Sequence, residues 1–176
     1  MPDLLTHYAI SLLITVIALR SYLSVIVALS GLLPDIDAFL SMHRSPTHSL
    51  LLSAPITLIS LYLYTRNMGS KLRKILFLTS TLYTLHILMD LAWSPTPILW
   101  PLTDQGYYLS IDISGGRVGD KISISANINL VTSEHGIGSS SGGPLIDPHT
   151  WLVSLIIVFI SLFMLKIIVR RETRSI

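Results

Sequence analysis

Cysteine is absent from the 176 residues. That excludes disulfides, thiolate nucleophiles and cysteine-bound zinc, so any metal site must be built from histidine, carboxylate and water. Charge is scarce as well. Asp, Glu, Lys and Arg make up 12% of the chain, about half of the roughly 25% usual in soluble domains. The net charge of +2 offers no basic face for nucleic acid, and no nucleic-acid partner is expected. Internal repeats and long polar linkers are also missing, so residues 1–176 are expected to form one membrane-embedded domain. What the chain has in excess is apolar side chain: 51% of residues are hydrophobic and the mean hydropathy is +0.65. A water-soluble fold of this size could not hide that much apolar surface.

Five apolar stretches stand out: Leu4–Leu19, Ser21–Pro34, Ser49–Thr65, Ile75–Met89 and Thr150–Val169. They predict an all-α membrane protein, a bundle of about five transmembrane helices. The second, with 14 uncharged residues, is the shortest and would need a thinned bilayer or a re-entrant path. The first has no Lys or Arg before it, no small-residue cleavage motif, and Arg20 after it, which marks a retained helix rather than a signal peptide. An extracytoplasmic N-terminus puts Arg20, Arg66, Lys71, Arg73, Lys74, Lys166, Arg170, Arg171 and Arg174 inside, nine of the 12 basic residues. That is the asymmetry of the positive-inside rule, and it leaves the C-terminus cytoplasmic in an inner membrane. Trp93, Trp100 and Trp151 then fall at the outer headgroups and Tyr22, Tyr62 and Tyr64 at the inner ones.

The same topology gathers His7, Asp35, Asp37, His43, Arg44, His48, His86 and Asp90 at the outer surface, which the charge rule did not require. His86 and Asp90, four residues apart on a helix, project from one face about 6 Å apart. Pro34 is expected to end the second helix, with Asp35 and Asp37 on an exposed turn; Ser45 reads as an N-cap and Pro46 as the first residue of the third helix, with His48 in its first turn. Asp3 is a candidate cap for the first helix. A buried His and Asp within an apolar helix are costly unless paired or functional. Six residues, His7, Asp35, Asp37, His48, His86 and Asp90, make a candidate metal cluster for one or two divalent ions, zinc foremost, with Mn or Mg as alternatives. Two such ions would carry +4 against −3 from the aspartates and attract a phosphate. Asp37, His43 and Arg44 are the candidate catalytic residues: Asp37 as proton acceptor, His43 for proton transfer, and Arg44 as an anion clamp.

At these residues the chain resembles the YdjM-like, or LexA-binding, family of inner-membrane metal-dependent hydrolases. The matching elements are Thr6-His7, Gly31-Leu-Leu-Pro-Asp-Ile-Asp37, His43-Arg44, Thr47-His48-Ser49, His86-x-x-x-Asp90 and Trp100-Pro101-Leu102, in order across residues 6–102. Ser45-Pro46 and Ala92-Trp93-Ser94-Pro95 depart from it, the first where a glycine often follows His-Arg and the second where a glycine-containing turn is usual. The resemblance implies that the six cluster residues are the metal-site residues, and a distant similarity to zinc-dependent phospholipase C and P1-type nucleases points to phosphoester cleavage. A membrane lipid or other lipid-linked phosphoester fits a site at that surface. The rival classes are a divalent-cation transporter or channel, which needs polar residues continuing to the inner face, and a non-catalytic scaffold with a structural metal.

Residues 103–149 are the one sizeable polar region and form the expected extracytoplasmic loop. Tyr108–Ser114 and Lys121–Leu130 alternate apolar and polar residues, which predicts a small β-hairpin across 107–130 over the outer mouth of the bundle, with its apolar face against the helices or the headgroups. Glu134, His135, Asp147 and His149 are further candidate ligands, and Gly138–Gly143 reads as a flexible connector.

Overall fold

A computed structural model describes residues 3–40, 47–118, 121–133 and 150–174, with positions 37–40, 117, 118, 121–125 and 172 described by their backbone alone. Helix α1 spans Leu4–Leu19. Asp3 caps it by accepting from the Thr6 N–H, as its position suggested, and Arg20 ends it in the left-handed region at φ 53°, its N–H returning to the Val16 carbonyl. Helix α2, Leu23–Ala28, is brief and tightens into a 3-10 segment over Leu29–Leu40. Helix α3 covers Leu50–Arg66 and α4 covers Lys71–Leu91, capped by Ser49 and Ser70 respectively. Strands β1, Gly106–Val118, and β2, Lys121–Ser133, pair antiparallel, and α5 runs over Trp151–Arg174.

The expectation of five membrane-crossing helices is not met. Two, Lys71–Leu91 and Trp151–Arg171, are long and apolar enough to cross. The apolar segments Leu4–Leu19, Leu23–Ile36 and Leu50–Arg66 are shorter; at 16 and 17 residues, α1 and α3 reach about 24–26 Å against a hydrocarbon core of roughly 30 Å. Counting apolar runs located the helices but overstated how many span. The fold is also not all-α, since each strand of the hairpin is 13 residues long.

Three further expectations change. Pro34 lies within the 3-10 segment instead of ending a helix, and Asp35 is partly buried instead of standing on an exposed turn. The cap of α3 is Ser49, whose Oγ accepts from the Leu52 N–H, so His48 precedes the helix; Ser45 and Pro46 lie outside the described residues. The hairpin pairs from Gly106 with Ser133 to Val118 with Lys121, enclosing the expected strands, but Ile111, Ile113, Ile128 and Leu130 remain exposed. It joins the helices at its base, where Thr96 bridges Tyr107 and Gly106 lies against Pro95 with no room for a Cβ. Strand alternation identifies an apolar face but not what covers it.

Two apolar clusters and several polar clasps position the helices. Leu12 and Val16 of α1 pack with Ala28 and Leu165, while Val27 packs with Leu78 and Leu82 of α4. Thr15 Oγ1 donates to the Ser24 carbonyl and Ser24 Oγ to the Thr15 carbonyl, fastening α1 to α2. Lys74 Nζ donates to the Ala18 carbonyl, tying the start of α4 to the end of α1. The result is polarised. The start of α1, the middle of the 3-10 segment, the approach to α3 and the end of α4 meet at one end.

Candidate metal centre

His7 lies in the first turn of α1, Asp35 in the 3-10 segment, His48 one residue before the α3 cap, and His86 and Asp90 one turn apart near the end of α4. His7, His48, His86 and Asp90 are buried, His48 and Asp90 completely, while the Asp35 side chain keeps 18% of its exposure. One donor atom from each of Asp35, His48, His86 and Asp90 lies within 4.8 Å of the others. His48 Nε2 is 3.6 Å from Asp35 Oδ1 and 3.3 Å from Asp90 Oδ2; His86 Nε2 is 3.4 Å from Asp35 Oδ1 and 3.7 Å from Asp90 Oδ2. Such a group could bind a metal ion. Donors about 2.0–2.1 Å from a tetrahedral ion are separated by roughly 3.4 Å along each edge, close to the spacings found here.

The local backbone explains the orientation of His86. Its Nδ1 is 2.7 Å from the Gly31 carbonyl, which can only accept, so Nδ1 carries the proton and in the neutral ring Nε2 carries the lone pair. That lone pair faces two carboxylates without a hydrogen bond, an arrangement that calls for a cation between them. A backbone carbonyl holding the far nitrogen is the usual support for a metal-bound imidazole. Gly31 reaches this position because a Cβ on it would meet Ser11 Oγ at 2.0 Å. The loop carrying His48 is held from two sides: Tyr83 Oη donates to the Thr47 carbonyl at 2.6 Å, and Ser49 Oγ donates to the Trp100 carbonyl at 2.6 Å.

His7 stands beside the four. Its ring stacks on His86 at 3.8 Å and its Nε2 is 3.3 Å from Asp90 Oδ1. Burial lowers the His7 pKa, aided by neighbouring His86 and opposed by Asp90. Burial pushes the Asp35 carboxyl up, but His48 and His86 beside it prevail and hold it well below the usual carboxylate range. Neutral imidazole beside ionised carboxylate is the form that binds metal.

Of the six cluster residues, the structure brings four into one group with His7 at its edge. The Asp37 side chain, His43 and Arg44 lie outside the described residues, as do Glu134, His135, Asp147 and His149. Sequence reasoning gave no role to the Gly31 carbonyl or to Tyr83. Tyr83 had a signal, since it sits three residues before His86 on α4. A backbone carbonyl leaves no residue-type signature.

Two helices able to span a bilayer, joined to a buried His and Asp group able to bind metal, describe a membrane protein with a candidate intramolecular metal centre. The chain belongs to the YdjM inner membrane protein family, which it matches over residues 1–173. Neither a curated protein nor a solved structure matches it.

Proposed function

We propose that the chain is a membrane-bound metal-dependent hydrolase that cleaves a phospholipid or other lipid-linked phosphoester at the extracytoplasmic face. The observation carrying this reading is the convergence of Asp35, His48, His86 and Asp90, with His86 fixed by Gly31. A bound divalent ion, zinc in preference, lowers the pKa of water toward neutrality and polarises a phosphoryl oxygen. His48 and His86 would hold it through ring nitrogens, and Asp35 and Asp90 would supply the compensating charge. Asp35, the most exposed of the four, marks the side from which substrate enters. Asp37 follows Asp35 by two residues and Arg44 precedes His48 by four, so the first is assigned to accept a proton and the second to clamp the phosphate, with His43 relaying protons.

Membership of an inner-membrane family and the basic residues at the end remote from the metal group support an extracytoplasmic site. The transporter reading is less well supported. Thr57 and Ser60 of α3 are engaged with Ser80 and Thr84 of α4 and so clasp the helices together. To test the hydrolase reading, protein purified without chelator is assayed for zinc and for headgroup or phosphate release from phosphatidic acid, phosphatidylglycerol phosphate and polyprenyl phosphates. About one zinc per chain and chelator-sensitive release are expected. Stoichiometric zinc without turnover of any member of the panel would leave a structural metal site and sink the enzyme.

A further inference from the structure

The hydrolase reading does not use the groove between α3 and α4. Its upper part, a cavity of about 420 Å³, is bordered by Ser49, Ser53 and Ile56 on one side and Ser80 and Tyr83 on the other. A second cavity of about 260 Å³ shares Ile56, Leu76 and Ser80 with the first and continues to Leu63 and Arg73. From Ser49 to Leu63 the groove follows about 21 Å of helix, more than half of a hydrocarbon core roughly 30 Å thick. Its walls are almost entirely carbon.

Two features separate it from an ordinary lipid-facing furrow. Its upper end adjoins the metal group: Ser49 follows His48 directly, and Tyr83, one turn before His86, donates to the Thr47 carbonyl. The wall also holds one hydroxyl in an unfavourable state. Ser53 is 5% exposed, and its Oγ has no hydrogen-bond partner among the described residues. A buried hydroxyl of this kind calls for an acceptor, and a carboxylic ester oxygen in the groove supplies one. The order along the groove is therefore metal donors, a hydroxyl one helical turn below Ser49, then hydrocarbon. That order matches an acylated phospholipid read from phosphate to ester to chain.

We propose that the α3–α4 groove binds one fatty-acyl chain of the phospholipid whose phosphate reaches the metal group, with Ser53 donating to the acyl ester carbonyl. This rests on the hydrolase reading and adds the substrate class: an ester-linked acyl phospholipid rather than a polyprenyl phosphate, which has no carbonyl for Ser53. Binding in the groove selects the substrate by its chain, while the metal group acts on its phosphate.

The test uses the full-length protein in nanodiscs with two photoactivatable probes, phosphatidic acid and diacylglycerol, each bearing a diazirine at the end of a 16-carbon chain. With phosphatidic acid, crosslinks should concentrate on Ile59, Leu63 and Leu76, exceed those on the exposed face of α5 at least tenfold, and fall at least tenfold in Ile56→Trp, which fills the groove. Ser53→Ala should weaken labelling several-fold and leave zinc content unchanged. Diacylglycerol, which keeps the acyl ester and lacks only the phosphate, should label the groove several-fold less than phosphatidic acid does. Equal labelling of groove and α5 by phosphatidic acid, or equal enrichment with both probes, would make the groove a seat for boundary lipid and overturn the proposal. Crosslinks to a second copy of this chain through Ile56 or Leu76 would assign it to self-association and overturn it as well. The readout is independent of turnover: groove labelling without hydrolysis refutes only the enzyme, and hydrolysis without groove labelling refutes only the acyl subsite.

Discussion

At the scale of single residues, the candidate metal donors are separable from the groups that aim them. Replacing His86 by Ala or Asp90 by Asn removes one of four donors, and zinc per mole of purified protein is expected to fall to a minor fraction of the parent value. An Asp112→Asn variant on the exposed hairpin should stay at the parent value. Unchanged zinc in both α4 variants would refute the metal assignment. Gly31 tests the aim itself. Gly31→Ala forces a Cβ against Ser11, drawing the Gly31 carbonyl away from His86 Nδ1, and should cost about 10–100-fold in zinc affinity, as loss of an outer-shell partner does. Ser11→Gly removes the obstructing hydroxyl and its Cβ, so the Ser11→Gly, Gly31→Ala pair should recover most of that affinity in competition with a chromogenic chelator. Failure to recover would place the effect elsewhere than in the contact between α1 and the 3-10 segment. All six proposed ligands were conspicuous in the sequence as His and Asp in apolar surroundings, and four of them come together in the structure. His7 was equally conspicuous, yet whether it belongs among the four or stacks beside them depends on how α1 sits against α4, which residue type does not encode.

At the scale of elements, the kind and order of the helices and strands were legible, but the full length of β1, the 3-10 segment that follows α2 and the partners of each element were not. Period-2 alternation fixed the hairpin register because both strands carry their apolar residues on one face: Leu109 faces Leu130 and Ile111 faces Ile128. The same alternation could not say whether that face was covered. Ile113 is 73% exposed and Ile128 68%, so Ile113→Ser and Ile128→Ser should each change thermal stability by less than about 0.5 kcal/mol in detergent. Leu82, buried between α2 and α4, is the contrast: Leu82→Ala should cost about 2–5 kcal/mol. A destabilisation by Ile113→Ser comparable to that by Leu82→Ala would mean that the hairpin face is packed in the membrane. The cap of α3 was placed four residues early for a related reason. Ser45-Pro46 and Ser49 both offer a serine at the right distance from an apolar run, and the choice falls to Ser49, whose Oγ accepts from the Leu52 N–H and donates to the Trp100 carbonyl.

At the scale of the whole molecule, the question is which side of the membrane the metal group faces, and two observations bear on it. The first is internal polarity. α4 runs toward the metal group and ends there, while α5 starts beside α1, where Thr6 and Ser154 share a hydrogen bond, and runs away from it. Two antiparallel helices able to span would leave the hairpin between them on the metal side and the end of α5 on the other. The second is charge. The turn between α3 and α4 carries Arg66, Lys71, Arg73 and Lys74, and the end of α5 carries Lys166, Arg170, Arg171 and Arg174, both remote from the metal group. Basic residues flanking a span tend to be retained in the cytoplasm, so the positive-inside rule predicts these two clusters inside and the hairpin outside. The prediction needs only α4 and α5 to cross. Because the chain has no cysteine, single cysteines give a clean readout. Asp112→Cys on the hairpin and Thr173→Cys near the end of α5 are both exposed positions. With an impermeant maleimide on intact cells, Asp112→Cys should label fully and Thr173→Cys should label only after the membrane is permeabilised. The reverse pattern would put the metal group on the cytoplasmic side, where its substrate would come from the inner leaflet.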